Sequence, residues 1–216
     1  RNLGHDYLED FEIRYSEMAR ETIPTNWDVI NELMQGGLGK GELGVIVAPA
    51  GIGKSWVLAT IGADAIRKGY SVVHYTLELN EAYVGLRYDS IFSGIANQNL
   101  KYHKDDIEKK IEKLKGNLTI KYFPTKTASV HTVQAHLQKM KTLGHEVDLV
   151  IMDYADIMKD TSNAREVRHA LGNIYEDLRG TAGEIEVPIW TASQANRSAL
   201  DEDNIEAQHI AESYQK

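Results

Sequence analysis

Eight residues, Ala48-Pro49-Ala50-Gly51-Ile52-Gly53-Lys54-Ser55, join a short apolar run (Leu43 to Val47) to an apolar helical stretch. A strand that passes through a glycine turn into a helix opening on Lys-Ser is the layout of a nucleotide phosphate cradle. It constrains the fold, because the turn must stand at the carboxyl end of a buried strand and the helix must cross back over the sheet. Gly51 and Gly53 let consecutive N–H groups turn inward toward phosphate oxygens. The helix starting near Lys54 adds its positive end. Lys54 can reach the β- and γ-phosphates, and the Ser55 hydroxyl suits a Mg²⁺ ion. The residues expected to touch nucleotide run from Ala48 through Ser55 to Trp56. The strict pattern has Gly where this chain has Ala48, so an independent signal is needed.

That signal begins with the rest of the chain, where apolar runs and helical stripes alternate. Ser71 to Leu77 reads as a strand, and Asn80 can cap a helix carrying Val84, Tyr88, Ile91 and Ile95. Ile107, Ile111 and Leu114 form a stripe among Lys and Glu, the pattern of a surface helix. Leu118 to Phe123 is strand-like, and Val130, Val133, Leu137 and Met140 follow helical spacing. Leu149 to Met152 is a further strand, Val167, Leu171, Ile174 and Leu178 a further helix, and Val187 to Ala192 a fifth strand. Such alternation predicts an α/β fold with a mainly parallel sheet between helices. Residues 1 to 35 are polar with weak periodicity and read as an N-terminal arm or linker. Gly36-Gly37-Leu38-Gly39-Lys40-Gly41 reads as a flexible turn entering the first strand, upstream of where a phosphate loop belongs.

Composition narrows the chemistry. The 216 residues, 42% of them hydrophobic, suffice for one substantial core. No apolar run approaches the ~20 residues of a membrane span, and Arg1 to Asp10 lacks the apolar core of a secretory signal. Cysteine is absent, which excludes disulfides, zinc-thiolate sites and a cysteine nucleophile and is compatible with a reducing cytosol. The net charge of −8 disfavours DNA binding by the surface as a whole, while leaving room for a local basic channel.

Ligands of open parallel sheets lie beyond the carboxyl ends of the strands, so polar residues at the other strand ends are the ones to inspect. Asp153 ends the run Leu149-Val150-Ile151-Met152. An acid there can hold Mg²⁺ through water at the same edge as the phosphate turn, or simply open a loop. Glu78 follows Leu77; its carboxylate could orient the water that attacks a γ-phosphate, or be a solvated loop residue. Gln194 ends the last strand, where an uncharged amide could touch the γ-phosphate and pass its presence to the next loop, or act as a simple cap.

Lys54/Ser55, Glu78, Asp153 and Gln194 come in one order at one predicted edge. In this the chain resembles the RecA-like ring ATPases, and within them the replicative DNA helicases of the DnaB family, T-even-phage type. The resemblance runs from about Gly36 to Ser213. It is carried by Gly-Gly-Leu-Gly-Lys-Gly-Glu-Leu, Ala48 heading the phosphate turn, Thr76-Leu77-Glu78-Leu79, Asp153-Tyr154, Trp190 to Arg197, and Ile210-Ala211-Glu212-Ser213. Ala48 is common in that family. The resemblance implies a RecA-like P-loop NTPase motor domain over residues 36–216 that hydrolyses ATP with Mg²⁺, moves along single-stranded DNA and unwinds duplex. It assigns Glu78 as catalytic base and Gln194 as γ-phosphate sensor, beside Lys54 on the phosphates and Ser55 and Asp153 as the metal ligands read above. It further implies a hexameric homo-oligomer, 5′→3′ movement, a primase partner, no membrane, and a bacterial or phage-infected cytosol.

In such rings DNA threads a channel lined by the loops after the Asp153 and Gln194 strands. Here these hold Lys159 to Arg165, and Asn196 to Asn204 with Arg197. Lys159, Arg165 and Arg197 are the DNA-contact candidates, with Lys121 and Lys126 behind them, and Asp160, Asp201, Glu202 and Asp203 dilute the charge. The family takes an arginine finger from a neighbouring subunit, on a strand past the end of this chain, and carries an N-terminal domain. The expectation is therefore a truncated motor core that binds ATP·Mg²⁺ and turns it over slowly. The rivals are a RecA/RadA-type recombinase, a small-molecule P-loop kinase, and a nucleotide-switched interaction module. The Ser-Gln-Ala-Asn-Arg stretch favours the helicase over the recombinase, and the absence of an Arg-rich lid disfavours the kinase.

Overall fold

A computed structural model describes residues 4–17, 20–162 and 167–195. Its centre is a five-stranded, all-parallel sheet of β3 (Leu43–Ala48), β4 (Ser71–Thr76), β5 (Asn117–Tyr122), β6 (Leu149–Asp153) and β7 (Ile189–Gln194), in the order β3-β7-β6-β4-β5. All five apolar runs are strands. Their near-continuous hydrophobicity reflects burial on both faces, as parallel sheets require. The lateral order is invisible in sequence, because β3 and β7 are joined by register rather than by adjacency in the chain.

Two apolar clusters cover the faces. Val72, Leu149, Ile151, Trp190 and Ala192 face Leu58, Ile61 and Ile66 of α3 (Lys54–Arg67) and Val84 and Tyr88 of α4 (Glu81–Ser93). Val73, Tyr75, Val150, Met152 and Ile189 face Val133, Leu137 and Met140 of α6 (Val130–Thr142) and Ile174, Leu178 and Ala182 of α7 (Val167–Ile185). This alternation of neighbours across a pleated strand has period two. Gly44 belongs in β3 because a Cβ there would come 2.4 Å from the Trp190 ring.

The helix termini follow the residues expected. Asn80 caps α4, its Oδ1 accepting the Tyr83 N–H. Ser129 and Thr132 form a reciprocal capping box on α6. The Ile107 stripe gives α5 (Lys104–Ile111), where Ile107 is buried, Ile111 is exposed, and Leu114 falls past the helix end.

Two expectations shift. The glycine segment at 36–41 is a structured close approach rather than a loose turn. Its β2 (Leu38–Gly39) pairs antiparallel with β1 (Thr22–Ile23), and a Cβ at Gly37 would stand 2.3 Å from the Ile23 carbonyl oxygen. Residues ahead of it also hold structure: α1 (Phe11–Glu17), α2 (Asp28–Leu33), and an Arg20–Glu42 ion pair that ties the arm to the base of β3. Glu78, in turn, lies two residues past the end of β4, in a turn closed by Thr76, whose Oγ1 donates to the Leu79 carbonyl and accepts its N–H.

Candidate functional site

The phosphate turn leaves β3 at Ala48 and re-enters regular structure at Lys54. Gly51 and Gly53 have φ of 80° and 97°. A Cβ at either would meet nothing within 4 Å, so backbone conformation and not space demands glycine there. Gly53 is the left-handed N-cap of α3, and its carbonyl accepts the N–H groups of Trp56 and Val57. Pro49 is buried, whereas Ala50, Gly51 and Ile52 face solvent. Lys54 donates from Nζ to the carbonyls of Ala48 (3.0 Å) and Pro49 (2.9 Å), which fixes the ammonium over its own loop. Burial pulls the Lys54 pKa below the ordinary lysine value, opposed by the charges of Asp156, Asp153 and Glu78.

The sheet register brings distant residues to this turn. Ala48 stands opposite Gln194, and Thr76 opposite Asp153. Ser55 Oγ donates to Asp153 Oδ1 at 2.8 Å across 98 positions of sequence. Asp153 is 5% exposed; its second oxygen, Oδ2, lies 3.9 Å from both Arg87 Nη1 and His74 Nε2. The Arg87 guanidinium also sits 5.6 Å from the Trp56 ring centroid. The structure thus brings Lys54, Ser55, Trp56 and Asp153 together, while Glu78 and Gln194 lie exposed at the same carboxyl edge. A hydroxyl and a carboxylate in contact are hard oxygen donors. They fit Mg²⁺, which takes one or two protein carboxylates and completes its shell with water and phosphate oxygens. Among the described residues no cluster of three or more His, Asp or Glu forms an all-protein metal cage.

Sequence reasoning passed over Asp156, three residues beyond Asp153. Its carboxylate accepts the Tyr175 hydroxyl (2.5 Å), the Ser193 hydroxyl (3.2 Å) and the Gln194 backbone N–H (2.7 Å). It therefore fixes the end of β7, and with it the start of the Gln194 side chain, against α7. A polar residue following a strand-end acid is the only hint in the sequence, and it is a weak one. Nothing in the sequence marks Arg87 or His74 for this edge, and Tyr88 reads there only as part of the α4 stripe.

Of the DNA-contact candidates, Lys159 is exposed, with its backbone N–H on the Ala128 carbonyl. Lys126 is exposed. Lys121 lies 3.8 Å from Glu81 and over the Phe123 ring. Arg165 and Arg197 lie outside the described residues, as do the loop at 196–204 and Ile210 to Ser213.

A parallel sheet, a glycine phosphate turn and a strand-end Asp bonded to the helix-opening Ser define a P-loop nucleotide-binding core of RecA-like architecture. Residues 22–208 match the family model of the DnaB-like helicase C-terminal domain, and the chain belongs to that family. Among curated proteins it is 30% identical to the DnaB-like replicative helicase of Enterobacteria phage T4, over 98% of this chain and 47% of that protein. It is 24% identical to the replicative DNA helicase DnaB of Helicobacter pylori, over 84% of this chain and 38% of that protein. The chain spans half or less of the length of these relatives. Two solved structures share the fold, each with a TM-score of 0.73 and 18% identity. One is an ATPase domain, with 93% of this chain and 75% of that chain covered. The other is a DnaB-like replicative helicase described with its interactions with primase, with 92% and 52% covered.

Proposed function

We propose that this chain is the ATP-hydrolysing motor domain of a replicative DNA helicase, with the motor over residues 36–216 and the preceding segment serving as an arm. The observation that carries the reading is the Ser55–Asp153 contact beside Lys54, which joins the phosphate turn to a strand-end acid 98 residues away.

The N–H groups of the turn and the α3 terminus hold the phosphates, and Lys54 leaves its loop carbonyls for the β- and γ-phosphate oxygens. Ser55 and Asp153 would hold Mg²⁺, which would neutralise charge on the phosphates. Glu78 accepts the proton of the attacking water and Gln194 touches the γ-phosphate. Asp156 links the end of β7 to α7, which supports transmission of that contact beyond the site. Lys159, Arg165 and Arg197 neutralise single-stranded DNA phosphates in the channel of a hexameric ring, a sequence-independent interaction. A primase partner is proposed by likeness to the relative described with primase. A cytoplasmic location is proposed with it; among the described residues no helix is long and apolar enough to cross a membrane.

ATP turnover of the chain and of Glu78→Gln, each with and without single-stranded DNA, tests this reading. Stimulation by DNA that disappears in the variant supports a motor. Turnover that is the same in both proteins removes Glu78 from the mechanism. Closed rings with ATP in electron micrographs support the helicase, and open filaments support a recombinase.

A further inference from the structure

The nucleotide site leaves one buried polar residue unexplained. His74 lies in the middle of β4 and is 1% exposed. Its Nε2 is, among the described residues, the buried side-chain polar atom without a hydrogen-bond partner. Such an orphan in an apolar interior costs free energy and calls for a reason. The reason offered by the geometry is Asp153, whose Oδ2 is 3.9 Å from that nitrogen. The carboxylate divides its oxygens: Oδ1 takes the Ser55 hydroxyl, and Oδ2 faces His74 and Arg87.

The other ring nitrogen meets a hydroxyl. His74 Nδ1 is 2.9 Å from the Tyr88 hydroxyl. Burial and the nearby Asp153 charge both hold that phenol in its protonated form. With Tyr88 donating to Nδ1, the ring N–H stands on Nε2 and points at a carboxylate oxygen. The opposite tautomer would aim a lone pair at a negative charge, so electrostatics selects the first.

A second observation shows that the fold makes room for this arrangement. Gly62 is buried in the interior of α3, where glycine weakens a helix. A Cβ at that position would come 2.4 Å from the Tyr88 hydroxyl oxygen. The helix gives up propensity at the one place that admits this hydroxyl.

We propose that His74, its Nδ1 held by the Tyr88 hydroxyl in the space left by Gly62, is a positioning residue that steadies Asp153 Oδ2 through Nε2–H and keeps Oδ1 aimed at Ser55 and the Mg²⁺ position. This rests on the reading of Ser55 and Asp153 as Mg²⁺ ligands. Partners behind a metal ligand fix its orientation and tune affinity without touching the ion.

The test is a MgCl₂ titration of the binding of a fluorescent ATP analogue to the 216-residue chain, with parallel binding in EDTA and thermal melts. Tyr88→Phe and His74→Asn should raise the Mg²⁺ half-saturation about tenfold, with binding in EDTA unchanged. His74→Gln should stay near wild type, because its amide nitrogen falls where Nε2 stands, whereas that of Asn falls where Nδ1 stands. If the His74 variants do not fold, near-isosteric Tyr88→Phe decides the matter. A half-saturation within about twofold of wild type for Tyr88→Phe and His74→Asn overturns the proposal, as does equal behaviour of Asn and Gln. Wild-type binding that ignores Mg²⁺ would instead reject the ligand assignment itself, and this inference with it.

Discussion

β4 carries two tyrosine–histidine pairs back to back. His74 and its neighbour Tyr75 point to opposite faces of the sheet, and each finds the complementary residue on the helix above it. His74 Nδ1 lies 2.9 Å from the Tyr88 hydroxyl with the rings at 83°, and the Tyr75 hydroxyl lies 2.7 Å from His136 Nδ1 with the rings at 82°. The local geometry is nearly the same, and the surroundings are not. His74 is sealed in, and its free nitrogen faces a carboxylate at the nucleotide edge. His136 is half-buried on α6 beside Phe123, with Lys121 and Lys139 acting on it electrostatically. Both pairs solve one problem, a tyrosine hydroxyl buried under a helix that must be hydrogen-bonded. What distinguishes them is the neighbour of the second imidazole nitrogen, so identical pairs can serve packing on one face and the site on the other.

The two faces of β4 should differ most when the cation of the phosphate turn is removed. Lys54→Ala should lower ATP turnover by roughly 10²–10³-fold, because a preorganised cation is lost from a charged transition state. No substitution in the Tyr75–His136 pair should approach that effect, and steady-state kinetics of both sets would show it. The next largest contrast is between two identical changes. Tyr75→Phe and Tyr88→Phe each strand a histidine nitrogen and should each cost about 1–3 kcal/mol in denaturant melts. The loss should be the larger in Tyr88→Phe, where the stranded nitrogen is sealed from water, and only that variant should alter the Mg²⁺ dependence of nucleotide binding.

A smaller effect is expected at the clamp that ties β7 to α7. Asp156→Asn weakens the acceptor of three donors and should cost about 1–3 kcal/mol in stability. It should also reduce turnover more than nucleotide affinity, because Gln194 loses its anchor rather than the cradle losing a ligand. Comparison of kcat with nucleotide Kd checks that split.

The smallest effect is the pH response of the α6 pair. Burial first, then Lys121 and Lys139, hold the His136 pKa below its ordinary value of 6.5. Its folded pKa is depressed, so the unfolded chain binds the proton more readily. Stability is therefore unaffected above that ordinary value and falls as pH drops below it. His136→Gln should flatten this acid-side slope, and urea melts across the range would measure it.

The legibility of the chain follows from what each residue answers to. The five strands were readable because burial on both faces of a parallel sheet leaves continuous apolar runs. The cradle was readable because Gly51 and Gly53 are required by backbone geometry alone. Lateral strand order, and hence which strand ends meet, depends on packing between elements far apart in sequence. Asp156 looked like one more acid in a loop because its three donors come from α7 and β7. His74 broke the apolar run of β4, and Gly62 broke that of α3. Their common reason is Tyr88, on a third element, whose hydroxyl meets His74 Nδ1 and fills the space beside Gly62. The order in the arm before β3 is hidden in the sequence because Gly37 meets Ile23 through backbone contact, which leaves no hydrophobic periodicity.

The central claim is that Ser55 and Asp153 together hold Mg²⁺ against nucleotide bound by the Ala48–Ser55 turn. Equilibrium binding of ATP with and without Mg²⁺, by wild type and by Ser55→Ala, tests it most directly. Mg²⁺ should tighten binding to the wild type, and the tightening should disappear in Ser55→Ala, with ATP binding in EDTA little changed. Equal tightening in both proteins, or none in the wild type, would contradict it.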